Sequence, residues 1–317
     1  MSSGRQIGAA VAQGRSAPGR GWRNRRAAGA SPEVGVRGNP KMLKFRSVAL
    51  VAGVALLGSA CGGPEASESE QPKMTWEEFR ASVYEDPEGK LIFDGDMALD
   101  SEEELRAFFD NHVAAETGTS RGGLAVYNTS PTKAVSGDVK WNATQARNLT
   151  YCVSSTFSGN KSRVVTAMNS ATAAWEATAN VNFTHVTAQD GSCTASNNNV
   201  LFDVRPVNAG GSYLARAFFP NSARSGRNVL VDNSAFGSIS PWTLTGIMRH
   251  ELGHVLGFRH EHTRSSGSGC FEDNAWRALT TTYDRASVMH YPQCAGTQTG
   301  DLVLTTLDKQ GARALYP

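Results

Sequence analysis

Residues 250 to 260 read His250-Glu251-Leu252-Gly253-His254-Val255-Leu256-Gly257-Phe258-Arg259-His260, and this run decides which fold and chemistry to look for. Histidines four apart lie one turn above each other on one helix face, so His250 and His254 can share a metal. Gly257 lets the chain leave the helix at a positive φ that a Cβ would resist, which returns His260 as a third ligand. Three neutral imidazoles suit one Zn2+ and leave its fourth position to water. Glu251, beside the first ligand, is placed to take a proton from that water. The blander reading is an amphipathic core helix with incidental histidines. The chain has seven histidines in 317 residues, and three fall in this window at the spacing that closes a site. The bare HExxH pattern also occurs by chance, so the added glycine and third histidine carry the assignment.

The flanks fit a buried helix. Leu244, Ile247, Met248, Leu252 and Val255 repeat at helical spacing, with Ser240 as the expected cap and Pro241 in the expected first turn. Downstream stands Ser287-Val288-Met289-His290-Tyr291-Pro292. HExxHxxGxxH followed by a methionine in a tight turn resembles the metzincin metallopeptidases. Glu261 after the third histidine, and His290 and Tyr291 after the methionine, resemble the astacin branch. The bacterial dual-action HEIGH metallopeptidases are closer still. The resemblance implies that Met289 forms a hydrophobic floor beneath the zinc. It also implies that Tyr291 is an additional, movable ligand that can swing to stabilise an oxyanion, a role a phenol suits chemically. For an isolated Met or Tyr, ordinary core packing would be preferred. Glu261 has two readings: partner of a new amino terminus released on maturation, as in astacins, or a solvated surface ion pair beside His262 and Arg264.

The apolar stretch from Gly210 to Pro220, closed by Ala217-Phe218-Phe219-Pro220, reads as an edge strand. It resembles the metzincin strand that lines the cleft, where an extended polypeptide substrate adds through backbone hydrogen bonds. Matrix metalloproteinases hold a structural zinc with a histidine in a similar run. Arg216 takes that place here, so a single catalytic ion is expected.

The amino-terminal region reads as an address. Lys44 and Arg46 precede the apolar run Val48 to Leu57 and the small residues Gly58, Ser59 and Ala60 before Cys61, the pattern of an export signal. Cys61 resembles a lipobox cysteine, although Gly58 stands where leucine is expected, so lipidation and plain cleavage near Ala60 both remain open. Residues 42–61 are thus the signal. Residues 1–41 are an arginine-rich disordered extension or a misassigned start ahead of Met42, and no nucleic-acid partner is implied. The expected location is secreted, or lipid-anchored at the bacterial cell envelope.

Residues 65–116 hold sixteen acids and four bases, a net of −12. Residues 62–73 are Glu-, Ser- and Pro-rich and read as a linker. Residues 74–125 contain Trp76, Phe79, Leu91, Phe93, Leu105 and Phe108, so they have something to bury, and they read as a prosegment that folds against the enzyme as an intramolecular inhibitor. Phe93-Asp94-Gly95-Asp96 matches the FxGD element of astacin prosegments, which implies that Asp96 is a latency switch occupying the water position on zinc. An ordinary Asp-Gly turn is the competing reading.

The catalytic domain is placed at 126–317. Strands are expected at 149–154, 181–186, 200–204 and 229–232, with a helix over 161–179 that buries Val164, Val165, Met168, Ala171 and Trp175. The order fits an α/β, metzincin-like fold: a twisted mixed sheet with an antiparallel edge strand, two long helices, and a small irregular C-terminal subdomain after His260. Excluding Cys61, four cysteines remain. Three pairings are open, and chain order favours Cys152 with Cys193 and Cys270 with Cys294. The expected protein is a monomeric zinc endopeptidase made as a latent precursor. The rivals are a metallohydrolase of a non-peptide substrate and a non-catalytic, zinc-stabilised surface binding protein.

Overall fold

The computed structural model describes residues 74–114, 123–130, 132–264 and 269–317. The expectations for 1–41, the export signal with Cys61, and the linker at 62–73 lie outside the described residues.

The first described segment is small and acidic. Thr75 caps α1 (Trp76–Ser82) in a reciprocal capping box with Glu78. Three short strands, β1 (Tyr84–Glu85), β2 (Leu91–Phe93) and β3 (Met97–Leu99), form an antiparallel meander, and Ser101 caps α2 (Glu102–Phe108). Phe79, Phe93, Leu105 and Phe108 cluster together, and Val139, Phe219 and Ala275 from later in the chain complete the cluster. The Phe271 ring lies 5.6 Å from Phe79 and 5.5 Å from Phe93. So small a segment cannot bury these rings by itself, and it therefore folds against the larger part of the chain.

That larger part begins with β4 (Ala125–Tyr127) and a short helix α3 (Ala143–Ala146), then runs through β5 (Leu149–Val153) and α4 (Lys161–Glu176). Next come β6 (Phe183–His185), β7 (Phe202–Val207), β8 (Ala215–Arg216), β9 (Asn228–Asp232) and α5 (Leu244–Val255). The chain finishes with β10 (Phe258–Arg259), β11 (Trp276–Ala278) and α6 (Thr306–Leu315). The main sheet has the order β6-β5-β7-β9-β8. Its first four strands are parallel, and β8 pairs antiparallel with β9 at the edge. This is the mixed α/β sheet with an antiparallel edge strand that the sequence predicts.

Side chains alternate across a strand, and here both faces are used. Phe202, Val204, Val229 and Val231 join the core beneath α4 and α5, while Val207 and Leu230 face the other way and pack with Ile92 of the leading segment. Trp175 fastens the helices together, its Nε1 donating to the Arg249 carbonyl at 2.9 Å.

Several boundaries differ from the sequence reading. Helix α4 ends at Glu176, three residues early, where backbone turns at Ala177 to Ala179 take over. Val165 is only partly buried, whereas Val164, Met168, Ala171 and Trp175 are buried as expected. The cap of α5 is Thr243, whose side chain accepts from the Gly246 amide at 3.0 Å, and not Ser240, which lies in a turn closed by the Trp242 amide on the Ile239 carbonyl and is joined to Pro241 by a cis bond. The region after His260 is more ordered than anticipated. Strand β11 joins β4 and β10 in a second sheet, and α6 is an amphipathic helix with a Thr305/Asp308 capping box. Disulfides join Cys152 to Cys193 and Cys270 to Cys294, the pairing that chain order favours.

Candidate metal centre

Helix α5 presents His250 and His254 on one face, buried, with ring centroids 5.0 Å apart. The chain then turns at Gly257, which adopts φ +98°. A Cβ there would lie 2.2 Å from the Val139 carbonyl oxygen, so both the conformation and the space require glycine. Strand β10 pairs with β4 and delivers His260 opposite the helix. The Nε2 atoms of His250 and His254 lie 3.2 and 3.1 Å from that of His260. Lone pairs converging this closely in a buried site repel unless a cation sits among them. A tetrahedral ion with nitrogens at 2.0–2.1 Å sets its ligands about 3.3 Å apart, so the three histidines fit zinc.

Asp96 supplies the fourth group. Its carboxylate is 3.3 Å from His250 Nε2, 3.5 Å from His254 Nε2 and 3.1 Å from His260 Nε2. Asp96 Oδ1 and Glu251 Oε2 are both buried without a hydrogen-bond partner, which marks the place where a cation and a reacting group belong. Burial works against the Asp96 charge, but His260 and His254 outweigh it and hold the carboxyl well below its ordinary range. Glu251 goes the other way: burial and then Asp96 push it up, with Arg216 opposing. Burial lowers His254 to about 4, whereas at His260 burial is overcome by Asp96 and Asp94, which raise it to about 9.

The outer ring nitrogens are also held. His250 Nδ1 donates to the Val288 carbonyl at 2.7 Å, and His254 Nδ1 donates to the Phe258 carbonyl at 2.8 Å. His260 Nδ1 donates instead to Asp94 Oδ2 at 2.7 Å, and His262 Nε2 donates to Asp94 Oδ1 at 3.1 Å. Such bonds fix the tautomer and aim the opposite nitrogen.

Met289 is fully buried, and its Sδ fills the space that a side chain at Gly253 would need, 2.3 Å from that glycine's ideal Cβ. The turn that carries it is tied to α6: Ser287 Oγ donates to Asp308 Oδ1 at 2.5 Å, and the Val288 amide donates to Asp308 Oδ2 at 2.9 Å. Asp308 thereby holds the carbonyl that orients His250. The Tyr291 ring lies 4.5 Å from that of His260 and 5.5 Å from that of His250, and burial followed by Asp96 and Asp94 pushes its phenol well up.

Tyr213, Leu214, Trp242, Ile247, Glu251 and Tyr291 are among the residues around a cavity of about 270 Å³ beside the cluster. It opens along β8, where Arg216 is buried and its Nε donates to Asp86 Oδ2 at 2.6 Å. The solvated-pair reading of Glu261 is overturned. The residue is fully buried, pairs with Arg264 and accepts from the Asp284 amide at 2.8 Å, and burial raises its carboxyl to about 7. Its partner Arg264 lies over the rings of Trp276 in β11 and of Tyr283, contacts that local sequence does not reveal.

The structure brings His250, Glu251, His254, His260, Asp96, Met289 and Tyr291 together. Sequence reasoning missed Asp94, His262, Asp308 and the Asp86–Arg216 pair. Asp94 had a signal, as the free position of FxGD two residues before Asp96. Asp308 had one in the Thr305 capping box. The contact between Asp86 and Arg216 spans 130 residues and had none.

Residues 140–267 match the family described as matrixin, a stretch covering about two fifths of the chain. With the histidine cluster, this match supports a zinc metallopeptidase of the metzincin type. No curated protein sequence matches the chain. Among solved structures, one of myroilysin is similar at 16% identity and TM-score 0.40, covering 61% of this chain and 98% of its own. A second myroilysin structure has 16% identity and TM-score 0.38 over 57% of this chain and 87% of its own. High choriolytic enzyme 1, a hatching-enzyme zinc protease of the medaka fish Oryzias latipes, has 21% identity and TM-score 0.38 over 56% of this chain and 94% of its own.

Proposed function

We propose that the chain is a zinc endopeptidase, astacin-like and similar to the HEIGH group, made as a precursor that its own residues 74–125 keep latent and exported to the cell envelope or beyond. The observation that carries this reading is the convergence of three buried imidazole nitrogens on one point, with Glu251 beside them and its Oε2 unpartnered. Zinc held by His250, His254 and His260 would supply Lewis acidity and a lowered water pKa. The extended substrate lies along β8, whose free edge offers backbone groups to it. Glu251 takes the proton from the attacking water and returns it to the leaving amine. The Tyr291 hydroxyl, once Asp96 has left, donates to the oxyanion of the tetrahedral intermediate. Latency has a simple physical basis in this reading: the Asp96 carboxylate, 3.3, 3.5 and 3.1 Å from the Nε2 atoms of His250, His254 and His260, would stand where both water and substrate carbonyl need to be.

The test is mass-spectrometric mapping of cuts in a denatured proteome by zinc-loaded full chain. The parent should be nearly silent and Asp96→Ala should make internal cuts. Adding Glu251→Gln to Asp96→Ala should abolish them, by about 10²- to 10⁴-fold, while zinc remains bound. Cuts that persist in the double variant would refute the general-base role. An Asp96→Ala chain that binds zinc yet cuts nothing would move the weight to a non-peptide substrate or a binding role.

A further inference from the structure

The three candidate zinc ligands are not held alike. His250 and His254 are oriented by backbone carbonyls of Val288 and Phe258, both in the larger part of the chain. His260 is oriented by Asp94, a side chain of the leading segment. Asp94 occupies the left-handed region at φ 47°, followed by Gly95 at φ 90°, so the backbone turns tightly there and points the carboxylate at two rings at once. One oxygen takes His260 Nδ1–H. The other takes His262 Nε2–H, and His262 Nδ1 in turn accepts from the Tyr291 amide at 3.4 Å. The direction of that last bond requires the proton of neutral His262 to sit on Nε2, so Asp94 is an acceptor for both rings. The His260 and His262 rings stack with centroids 4.8 Å apart, and Tyr291 packs on both.

We propose that Asp94 is a positioning residue for the metal site: the leading segment supplies the acceptor that aims His260 at zinc, so the same turn that blocks the site through Asp96 also assembles it. This rests on the zinc metallopeptidase reading. The precursor is then the form that loads and retains the ion, and removal of residues 74–114 takes away the acceptor of one ligand out of three. The matured site keeps His250 and His254 oriented and leaves His260 to be aimed by β10 alone.

The experiment uses the full chain carrying Glu251→Gln, which prevents self-cleavage, with zinc affinity measured by competition against a chromophoric chelator. Asp94→Gly preserves the left-handed turn and removes the acceptor, and it should weaken zinc binding about 10- to 100-fold. Asp94→Asn keeps a carbonyl acceptor and should fall between the two. Hydrogen exchange of the Leu91–Leu99 amides, read in the same samples, should stay as slow as in the parent. Unchanged affinity in Asp94→Gly would overturn the proposal. So would a loss of affinity accompanied by fast exchange in Leu91–Leu99, because Asp94 would then act only by docking the segment. A parent chain that fails to bind zinc would instead bring down the metallopeptidase reading itself.

Discussion

At the scale of single residues, the site depends on backbone that cannot carry a side chain and on side chains that cannot be moved. Gly257 is the clearest case. Its φ of +98° is disfavoured for any residue with a Cβ, and that Cβ would lie 2.2 Å from the Val139 carbonyl. Gly257→Ala should therefore cost about 1–3 kcal/mol from conformation alone, with a further loss from the close contact. Because the glycine sets where β10 begins, the damage should extend to His260. Urea unfolding of the zinc-free chain should show the loss of stability, and zinc competition should show weaker binding. A variant with native stability would mean that the turn relaxes freely. Gly253 shows the same logic from the other direction: the helix is bare there because Met289 comes up against it. The methionine floor implied by the family resemblance is thus matched by a gap in the helix that the HExxH pattern leaves unspecified.

At the scale of elements, α6 has a reach that its position near the chain terminus does not suggest. Its N3 residue Asp308 completes a capping box with Thr305 and also accepts from Ser287 and Val288. The second set of bonds fixes the turn before Met289 and the Val288 carbonyl that holds His250. Asp308→Ala should destabilise the fold by about 1–3 kcal/mol for each of the two buried donors it orphans, Ser287 Oγ and the Val288 amide. It should also loosen zinc, because His250 loses the carbonyl that aims it. Thr305→Ala removes the cap and the hydroxyl's bond to Asp284 but leaves Asp308 to hold Ser287 and Val288, so it should cost stability of the order of 1 kcal/mol and leave zinc affinity close to native. Calorimetry paired with chelator competition separates the two effects, and equal zinc affinities in both variants would contradict this account. The expectation of an irregular subdomain passed over this helix, although Thr305, Asp308, Ala312 and Leu315 carry a cap and an apolar stripe. Its link to His250 is not legible in the sequence, because Ser287 and Val288 lie some twenty residues upstream of Asp308.

At the scale of the whole molecule, the leading segment and the larger part share structure that neither has separately. Asp86 and Arg216 form an ion pair with side chains 0% and 1% exposed, buttressed by Tyr213 and Asn228. Breaking one side of such a pair leaves a buried charge alone and typically costs about 3–5 kcal/mol. Asp86→Ala should accordingly undock the segment while Asp96 itself is intact. If Asp96 is the switch proposed above, premature proteolysis in a chain that still carries it is the expected outcome. If Asp86→Ala stays as silent as the parent, the rings around Phe79 and Phe93 are sufficient to hold the segment down.

What the sequence determined is local and periodic. The spacing of His250, His254 and His260 around Gly257 follows from helix geometry and one backbone conformation, so the metal cluster is legible from spacing alone. Continuous apolar strands and the antiparallel edge were legible for the same reason. So was the need of the acidic segment to bury Phe79, Phe93 and Phe108 against something else. Other features depended on contacts between distant parts of the chain. Thr243 displaced Ser240 as the cap because the approach to α5 is set by packing against Gly300, to whose carbonyl the Thr243 amide donates. Glu261 is held buried by Arg264 and the Asp284 amide, and Arg264 is itself covered by the rings of Trp276 and Tyr283. Asp94 became the acceptor for His260 across 166 positions of chain. No periodicity encodes these pairings, because a hydrogen bond or ion pair between distant residues is fixed only when the core has brought their backbones together.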